Sequence, residues 1–149
     1  MHYFFDSSAL VKVFHAEVGS AKVIAIMDEP GREISASHLS IVEFASVVAL
    51  KSRTKVMSPA EADYLLDQLF LQVNKRSVLI QAILAEDFDR AFDLINLHGR
   101  QFGLKTLDAL HLATALRQKR QSRLDYFVTG DRALANVARL AGLEVIGPE

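Results

Sequence analysis

The chain contains no cysteine and no tryptophan among its 149 residues. The lack of cysteine excludes disulfide bonds and thiolate metal sites, and it is compatible with a reducing compartment. No apolar run approaches the about 20 residues that a membrane-spanning helix needs. Asp6 interrupts the first apolar run, so no secretory signal is visible. We therefore expect a cytoplasmic protein without a membrane-spanning segment.

The chain also lacks an excess of positive charge, since its formal net charge is −1. Proteins that bind nucleic acid by charge alone are usually strongly basic. If this chain handles nucleic acid, a local basic rim or a bound metal has to supply the attraction. Half of the residues are hydrophobic and 23% are charged, which is the composition of an ordinary globular protein. The length predicts a single domain that spans residues 1–149.

Short apolar runs with the length of buried strands alternate with longer helical patterns. Strands are predicted at 2–5, at 33–37, within 78–84, at 124–129 and at 144–146. The clearest helix start is Ser58-Pro59-Ala60-Glu61, while Gly99 is expected to end one helix and Thr106 to cap the next. The alternation predicts a three-layer α/β fold, in which a mostly parallel central sheet of four to five strands carries helices on both faces.

Four acidic residues stand where predicted strands end or predicted helices begin. Asp6 and Asp131 suit N-caps, and Glu43 completes the capping-box pattern Ser40-x-x-Glu43. Asp108 lies in the first turn of a helix, where the helix dipole favours an anion. Taken singly, each acid therefore has a sufficient structural explanation.

Taken together, the same acids predict a metal site. In this topology the helices run antiparallel to the strands, so every helix N-terminus lies at the carboxyl edge of the sheet, where open α/β sheets bind ligands. Four carboxylates in one depression repel one another unless a cation neutralises them. Hard oxygen ligands suit Mg²⁺ or Mn²⁺ rather than Zn²⁺. We therefore expect Asp6, Glu43, Asp108 and Asp131 to hold a divalent metal.

Two further residues near these acids have open interpretations. His111 follows Asp108 by one helical turn, and a packed or hydrogen-bonded histidine is favoured over a metal ligand. Lys12 follows Ser8 by one turn and suits either a contact with phosphate or a solvated surface lysine.

Basic residues crowd two predicted helix ends, where the dipole favours cations without any nucleic acid. The second group is expected to lie away from the acidic edge, so no direct substrate role is expected for it. The two groups are Arg117, Lys119, Arg120 and Arg123, and Lys51, Arg53 and Lys55.

Four short motifs around the acids resemble the motifs of PIN-domain ribonucleases, and above all those of VapC-like toxins of bacterial toxin–antitoxin pairs. The resemblance includes the order of the motifs and the length of the chain. The resemblance covers essentially the whole chain. It implies that Asp6, Glu43 and Asp108 are the three core acids, that Asp131 is the more variable fourth, and that Ser8 supports Asp6. The motifs are Asp6-Ser7-Ser8-Ala9-Leu10-Val11-Lys12, Glu43 early in an apolar helix, Leu107-Asp108-Ala109-Leu110-His111-Leu112-Ala113-Thr114-Ala115, and Val128-Thr129-Gly130-Asp131-Arg132.

The resemblance also implies an activity and partners. The expected function is a Mg²⁺-dependent endoribonuclease, with Mn²⁺ as a possible substitute, that forms a homodimer and is silenced by a cognate antitoxin. One alternative is a PIN-type RNA-processing nuclease that is not a toxin. Another is a non-catalytic module that binds RNA or protein and uses its acids only as caps. A Mg²⁺ phosphohydrolase is a third, although Ser8 replaces the second aspartate of the Asp-x-Asp start typical of one such class.

Overall fold

The computed structural model describes residues 1–147 of the chain, in which strands and helices alternate as the sequence predicts. In chain order these elements are β1 His2–Phe5, α1 Ser7–Phe14, α2 Ser20–Met27, β2 Glu33–Ser37, α3 His38–Arg53, α4 Pro59–Asn74, β3 Leu79–Gln81, α5 Ala85–Phe102, α6 Thr106–Arg120, β4 Tyr126–Val128, α7 Arg132–Leu140 and β5 Val145–Ile146.

The strands form one five-stranded sheet in the order β3-β2-β1-β4-β5, and every neighbouring pair is parallel. The predicted parallel sheet is thus confirmed. The chain winds outward from β1 to β3 and then crosses back to place β4 on the other side of β1. The carboxyl ends of β1 and β4 therefore flank the point where the winding reverses, which is where sheets of this kind bind ligands.

Helices cover both faces of the sheet, as predicted, because successive side chains of a strand point to opposite faces. Phe5 packs into a core formed with α1, α2, α3 and α4, whereas Phe4 packs into a second core formed with α5, α6 and α7. Phe4 stacks on Phe127 of β4 with ring centroids 5.9 Å apart. Both β1 phenylalanines are fully buried, and each contributes about 1.5–3 kcal/mol of hydrophobic stabilisation. The strand that ends at Asp6 is thus firmly fixed.

Two predicted helix boundaries are wrong. Helix α5 continues through Gly99 and ends before Gly103, whose positive φ of 69° suits a glycine at a helix C-terminus. The N-cap of α6 is Lys105 rather than Thr106, which is already the first helical residue. The capping box of Ser58 and Glu61 is confirmed by both of its hydrogen bonds. Within residues 1–147, no helix has the length and apolar character that crossing a membrane would require.

Candidate active site

Asp6 follows β1 directly and is the N-cap of α1. Its Oδ1 accepts hydrogen bonds from the Ala9 backbone N–H at 2.8 Å and from the Ser8 hydroxyl at 2.7 Å, and its Oδ2 accepts one from the Thr129 hydroxyl at 2.5 Å. The side chain is buried. Burial raises the pKa of Asp6, and the hydrogen bonds from Thr129, Ala9 and Ser8 only partly offset that rise. Asp6 is therefore both a cap and a tightly held buried acid.

Asp131 follows β4, in a loop that two hydroxyl groups tie to Asp6. Thr129 Oγ1, which donates to Asp6, accepts the Asp131 backbone N–H at 3.0 Å. Ser8 Oγ, which also donates to Asp6, accepts the Gly130 N–H at 2.7 Å. Asp131 itself caps α7 through the N–H of residue 134. These bonds fix the loop after β4 against the start of α1.

Asp108 lies in the first turn of α6 and is half-buried. Burial raises its pKa, and the charges of Asp131, Asp6 and Glu43 raise it further. Within residues 1–147, no group donates a hydrogen bond to its carboxylate. Asp108 is thus the acid whose negative charge is least compensated by the protein.

Glu43 is held by His111, which is itself buried. His111 Nε2 lies 2.5 Å from Glu43 Oε2, and the Ser7 hydroxyl donates to the same oxygen. On the other side of the ring, His111 Nδ1 lies 3.0 Å from Ser37 Oγ. Burial raises the pKa of Glu43, but the hydrogen bonds from His111 and Ser7 outweigh it and bring the pKa below its usual range. The favoured interpretation of His111 as a hydrogen-bonded histidine is confirmed.

The predicted capping box of Ser40 and Glu43 is wrong. The chain passes directly from β2 into α3, so Ser37 is the N-cap and the helix begins at His38. Ser40 is therefore inside the first turn, and Glu43 lies one turn deeper. Glu43 is consequently free of any capping role and faces His111 instead.

One cleft of about 320 Å³ brings the four acids together. Three larger depressions on the surface described are each lined by at most one acid. The cleft is lined by Asp6, Ser7, Ser8, Val11, Lys12, Glu17, Glu43, Val47, Asp108, His111 and Asp131.

The carboxylate oxygens of these acids suit a hard cation as ligands, because the negative charges of the acids repel one another without one. In their present conformations, however, the described residues include no group of three or more acidic or histidine side chains arranged to hold a metal ion. Asp6 and Glu43 accept hydrogen bonds from donors of the protein, and Asp131 caps its helix. The chemistry of the residues nevertheless fits a divalent metal.

The sequence did not reveal two residues of this region. Ser37 lies at the carboxyl end of β2, so the rule that placed Asp6 at the sheet edge would have found it. Glu17 lies in the loop after α1 and lines the cleft through a tertiary contact, for which the sequence carries no local signal.

Comparisons with known proteins identify the family of the chain and match its fold. The model of the PIN domain family matches residues 3–140. No curated protein matches the chain.

The fold resembles VapBC2 from Rickettsia felis, solved with a fragment of promoter DNA, with a TM-score of 0.65 and 16% identity over 100% of both chains. It also resembles VapC20 from Mycobacterium tuberculosis, described as a sarcin-ricin loop cleaving toxin, with a TM-score of 0.65 and 14% identity over 98% of this chain and 99% of that chain. A toxin–antitoxin complex from Klebsiella pneumoniae gives a TM-score of 0.58 and 20% identity, with 99% of this chain and 98% of that chain covered.

Proposed function

This chain belongs to the PIN-domain family, and from that premise we propose that it is a Mg²⁺-dependent endoribonuclease that hydrolyses RNA phosphodiester bonds. The observation that carries the proposal is the convergence of Asp6, Glu43, Asp108 and Asp131 on one cleft at the reversal point of the sheet. Burial and then the charges of Asp131 and Asp6 raise the pKa of Asp108 there, and a bound divalent cation would relieve both effects.

Asp6, Asp108 and Asp131 are the residues that would hold the ion, with Mn²⁺ as a substitute for Mg²⁺. When bound, the ion supplies stabilisation of negative charge on the phosphate and lowers the pKa of the attacking water. Thr129 and Ser8 keep Asp6 in place from both sides. Because this chemistry does not use the 2′-hydroxyl, the assignment of RNA rests on the family.

Glu43 is assigned to positioning the nucleophile. Its carboxylate is ionised, since the hydrogen bonds from His111 and Ser7 hold its pKa low. An ionised carboxylate accepts hydrogen bonds only, so it can orient a water molecule by accepting from it. His111 acts through Glu43 and is therefore a positioning residue.

The biological role that we propose is the toxin of a toxin–antitoxin pair. Support comes from the toxin from Mycobacterium tuberculosis and the complex from Klebsiella pneumoniae, which share the fold over nearly their whole length. The proposal includes a cytoplasmic location, a cognate antitoxin as partner and a homodimer. Expression of the chain alone in a heterologous host should arrest growth, and Asp6→Ala should relieve the arrest. Healthy growth at high expression of the wild-type chain would favour a processing nuclease instead.

A non-catalytic binding module is the second candidate, because Asp6 and Asp131 do serve as helix caps and, within residues 1–147, no three side chains are arranged for a metal as they stand. Cleavage of single-stranded RNA by the purified protein separates the two. The nuclease predicts Mg²⁺- or Mn²⁺-dependent cleavage that disappears in Asp108→Asn and persists in Asp63→Asn, an exposed acid of α4. Equal cleavage by the wild type and Asp108→Asn, with chelator present, would point to a contaminating nuclease and remove the catalytic claim.

A further inference from the structure

We propose that Lys12 and Lys51 form a binding site for an RNA phosphate that neighbours the cleaved one, and that the carboxylate of Glu17 occupies this site in the free protein. The inference rests on the proposed nuclease function for the identity of its ligand. It names a substrate contact outside the acidic cluster.

Glu17 lies between the two lysines. Its Oε2 is 3.3 Å from Lys12 Nζ and its Oε1 is 3.2 Å from Lys51 Nζ. Burial raises the pKa of Glu17, but Lys51 and Lys12 outweigh it and hold the pKa below its usual range, so the carboxylate is ionised. One anion with an oxygen toward each ammonium group is also what a phosphodiester presents, through its two non-bridging oxygens.

Both lysines are held in place rather than extended into solvent. Their side chains are 15% and 23% exposed for Lys12 and Lys51. The stem of Lys12 crosses the backbone of Gly130 so closely that a Cβ there would lie 2.6 Å from Lys12 Cε and 3.5 Å from Nζ. The glycine before Asp131 therefore makes room for this lysine. Because its conformation is already restricted, Lys12 loses less entropy on binding an anion.

The position of these residues connects them to the acids. Lys12 and Glu17 line the same cleft as the four carboxylates. Lys12 lies one turn beyond Ser8 on α1, a rise of about 6 Å. Lys51, near the end of α3, is joined to the cleft through its ion pair with Glu17, which lines the cleft. The pair supplies the local positive charge that a chain of net charge −1 needs in order to attract RNA.

Glu17 can leave this position without a movement of its loop. Its backbone N–H donates to Ser20 Oγ at 2.9 Å, and its carbonyl accepts the Ser20 N–H at 3.0 Å. The side chain is one-third exposed, and ion pairs with that exposure stabilise a protein by only about 0–1 kcal/mol. A phosphate that approaches both lysines can therefore displace the carboxylate by rotation of the Glu17 side chain alone.

Binding of a short, fluorescently labelled single-stranded RNA, measured by anisotropy over a range of KCl concentrations, tests the site. All variants carry Asp108→Asn so that the RNA stays intact, and their melting temperatures verify folding. Lys12→Met and Lys51→Met should each weaken binding roughly threefold. Each should also reduce the slope of log affinity against log salt by about 0.7, the value for one phosphate contact on a single strand.

Three further variants sharpen the result. Lys12→Arg keeps the charge and should keep the slope, whereas Glu17→Gln removes the competing anion and should tighten binding. Lys119→Met changes an exposed lysine in the last turn of α6 and should leave both affinity and slope unaltered. The site is overturned if the Met variants of Lys12 and Lys51 behave like Lys119→Met, if Glu17→Gln weakens binding, or if no RNA binds.

Cleavage by the wild-type chain separates this inference from the proposed function. If the wild type cleaves RNA but the lysine variants do not change the salt slope, the proposed nuclease activity stands and the phosphate site is wrong. If the lysine variants reduce the salt slope but the wild type cleaves no RNA, the lysines still contact RNA and the proposed nuclease activity is wrong.

Discussion

His111 Nε2 lies 2.5 Å from the carboxylate of Glu43, although the two residues come from different helices on opposite sides of the sheet. An ionised carboxylate only accepts hydrogen bonds, so Nε2 must carry the proton. Ser37 Oγ lies against the other ring nitrogen at 3.0 Å and fixes the orientation of the ring. The contact therefore joins the end of β2 to the proposed catalytic cleft through a single imidazole.

Replacement of His111 by alanine should impair the site through Glu43. Loss of a residue that orients a functional carboxylate typically costs about 10–100-fold in activity or metal affinity. Loss of the buried hydrogen bonds should also lower the free energy of unfolding by about 1–3 kcal/mol. His111→Gln keeps an N–H donor and should recover part of the activity. Turnover and urea denaturation measure the two effects separately.

A double-mutant cycle tests whether His111 acts through Glu43. In a Glu43→Gln background, His111→Ala should have little additional effect on turnover. An effect of equal size in both backgrounds would show that His111 has only a packing role. His98→Ala, which removes another buried histidine, should affect stability but not couple to Glu43.

Asp108→Asn should stabilise the metal-free protein at neutral pH. Because burial and then the charges of Asp131 and Asp6 raise the pKa of Asp108, the folded protein binds that proton more tightly than the unfolded chain. Its contribution to stability is favourable below the unfolded pKa of about 3.9 and is lost as pH rises through the folded pKa. Asparagine carries no charge at any pH, so the variant does not lose stability when the pH rises through the pKa of Asp108.

Thermal melting in chelator measures the difference. The melting temperature of Asp108→Asn should exceed that of the wild type at pH 7, and the two should converge in acid. Asp63→Asn, at an exposed position on α4, should match the wild type throughout. A melting temperature of Asp108→Asn below that of the wild type at pH 7 would contradict the raised pKa of Asp108 that burial and the neighbouring acids cause.

The buried pair of Arg117 and Asp87 should matter for stability and not for cleavage. Arg117 Nε donates to Asp87 Oδ1 at 3.0 Å, and its Nη2 donates to the carbonyl of Ala82 at 2.7 Å. Arg117→Met leaves a buried carboxylate unpaired, which costs about 3–5 kcal/mol. Urea denaturation should show this loss, while Arg120→Met, which breaks an exposed pair with Glu86, should cost about 0–1 kcal/mol. Equal losses in the two variants would contradict the assignment.

The sheet and the gathering of the acids were predictable because both depend on chain order. Parallel strands that alternate with helices bring every strand end to one edge, so Asp6 and Asp131 could be placed there without coordinates. Local spacing failed where a tertiary contact decides the outcome. The Ser40-x-x-Glu43 pattern matched a capping box, yet the strand before it runs straight into the helix and the box does not form.

The charged residues show the same limit. Arg117 stands in a basic helix end, and the dipole was a sufficient explanation for it, but its partner is Asp87 from another helix. Glu17 lies in a short loop and meets Lys51 from a distant helix. Neither ion pair could be predicted from the spacing of its residues in the sequence, because both depend on how α1, α3, α5 and α6 pack.

Calorimetric titration of Mn²⁺ into the metal-free protein tests most directly whether the acidic cleft is a metal site. Wild type and Asp63→Asn should show the same saturable binding, and Asp108→Asn should lose it or bind about tenfold more weakly, a difference of about 1.4 kcal/mol. Saturable binding that Asp108→Asn retains at full affinity, or the absence of binding to the wild type, would contradict the account.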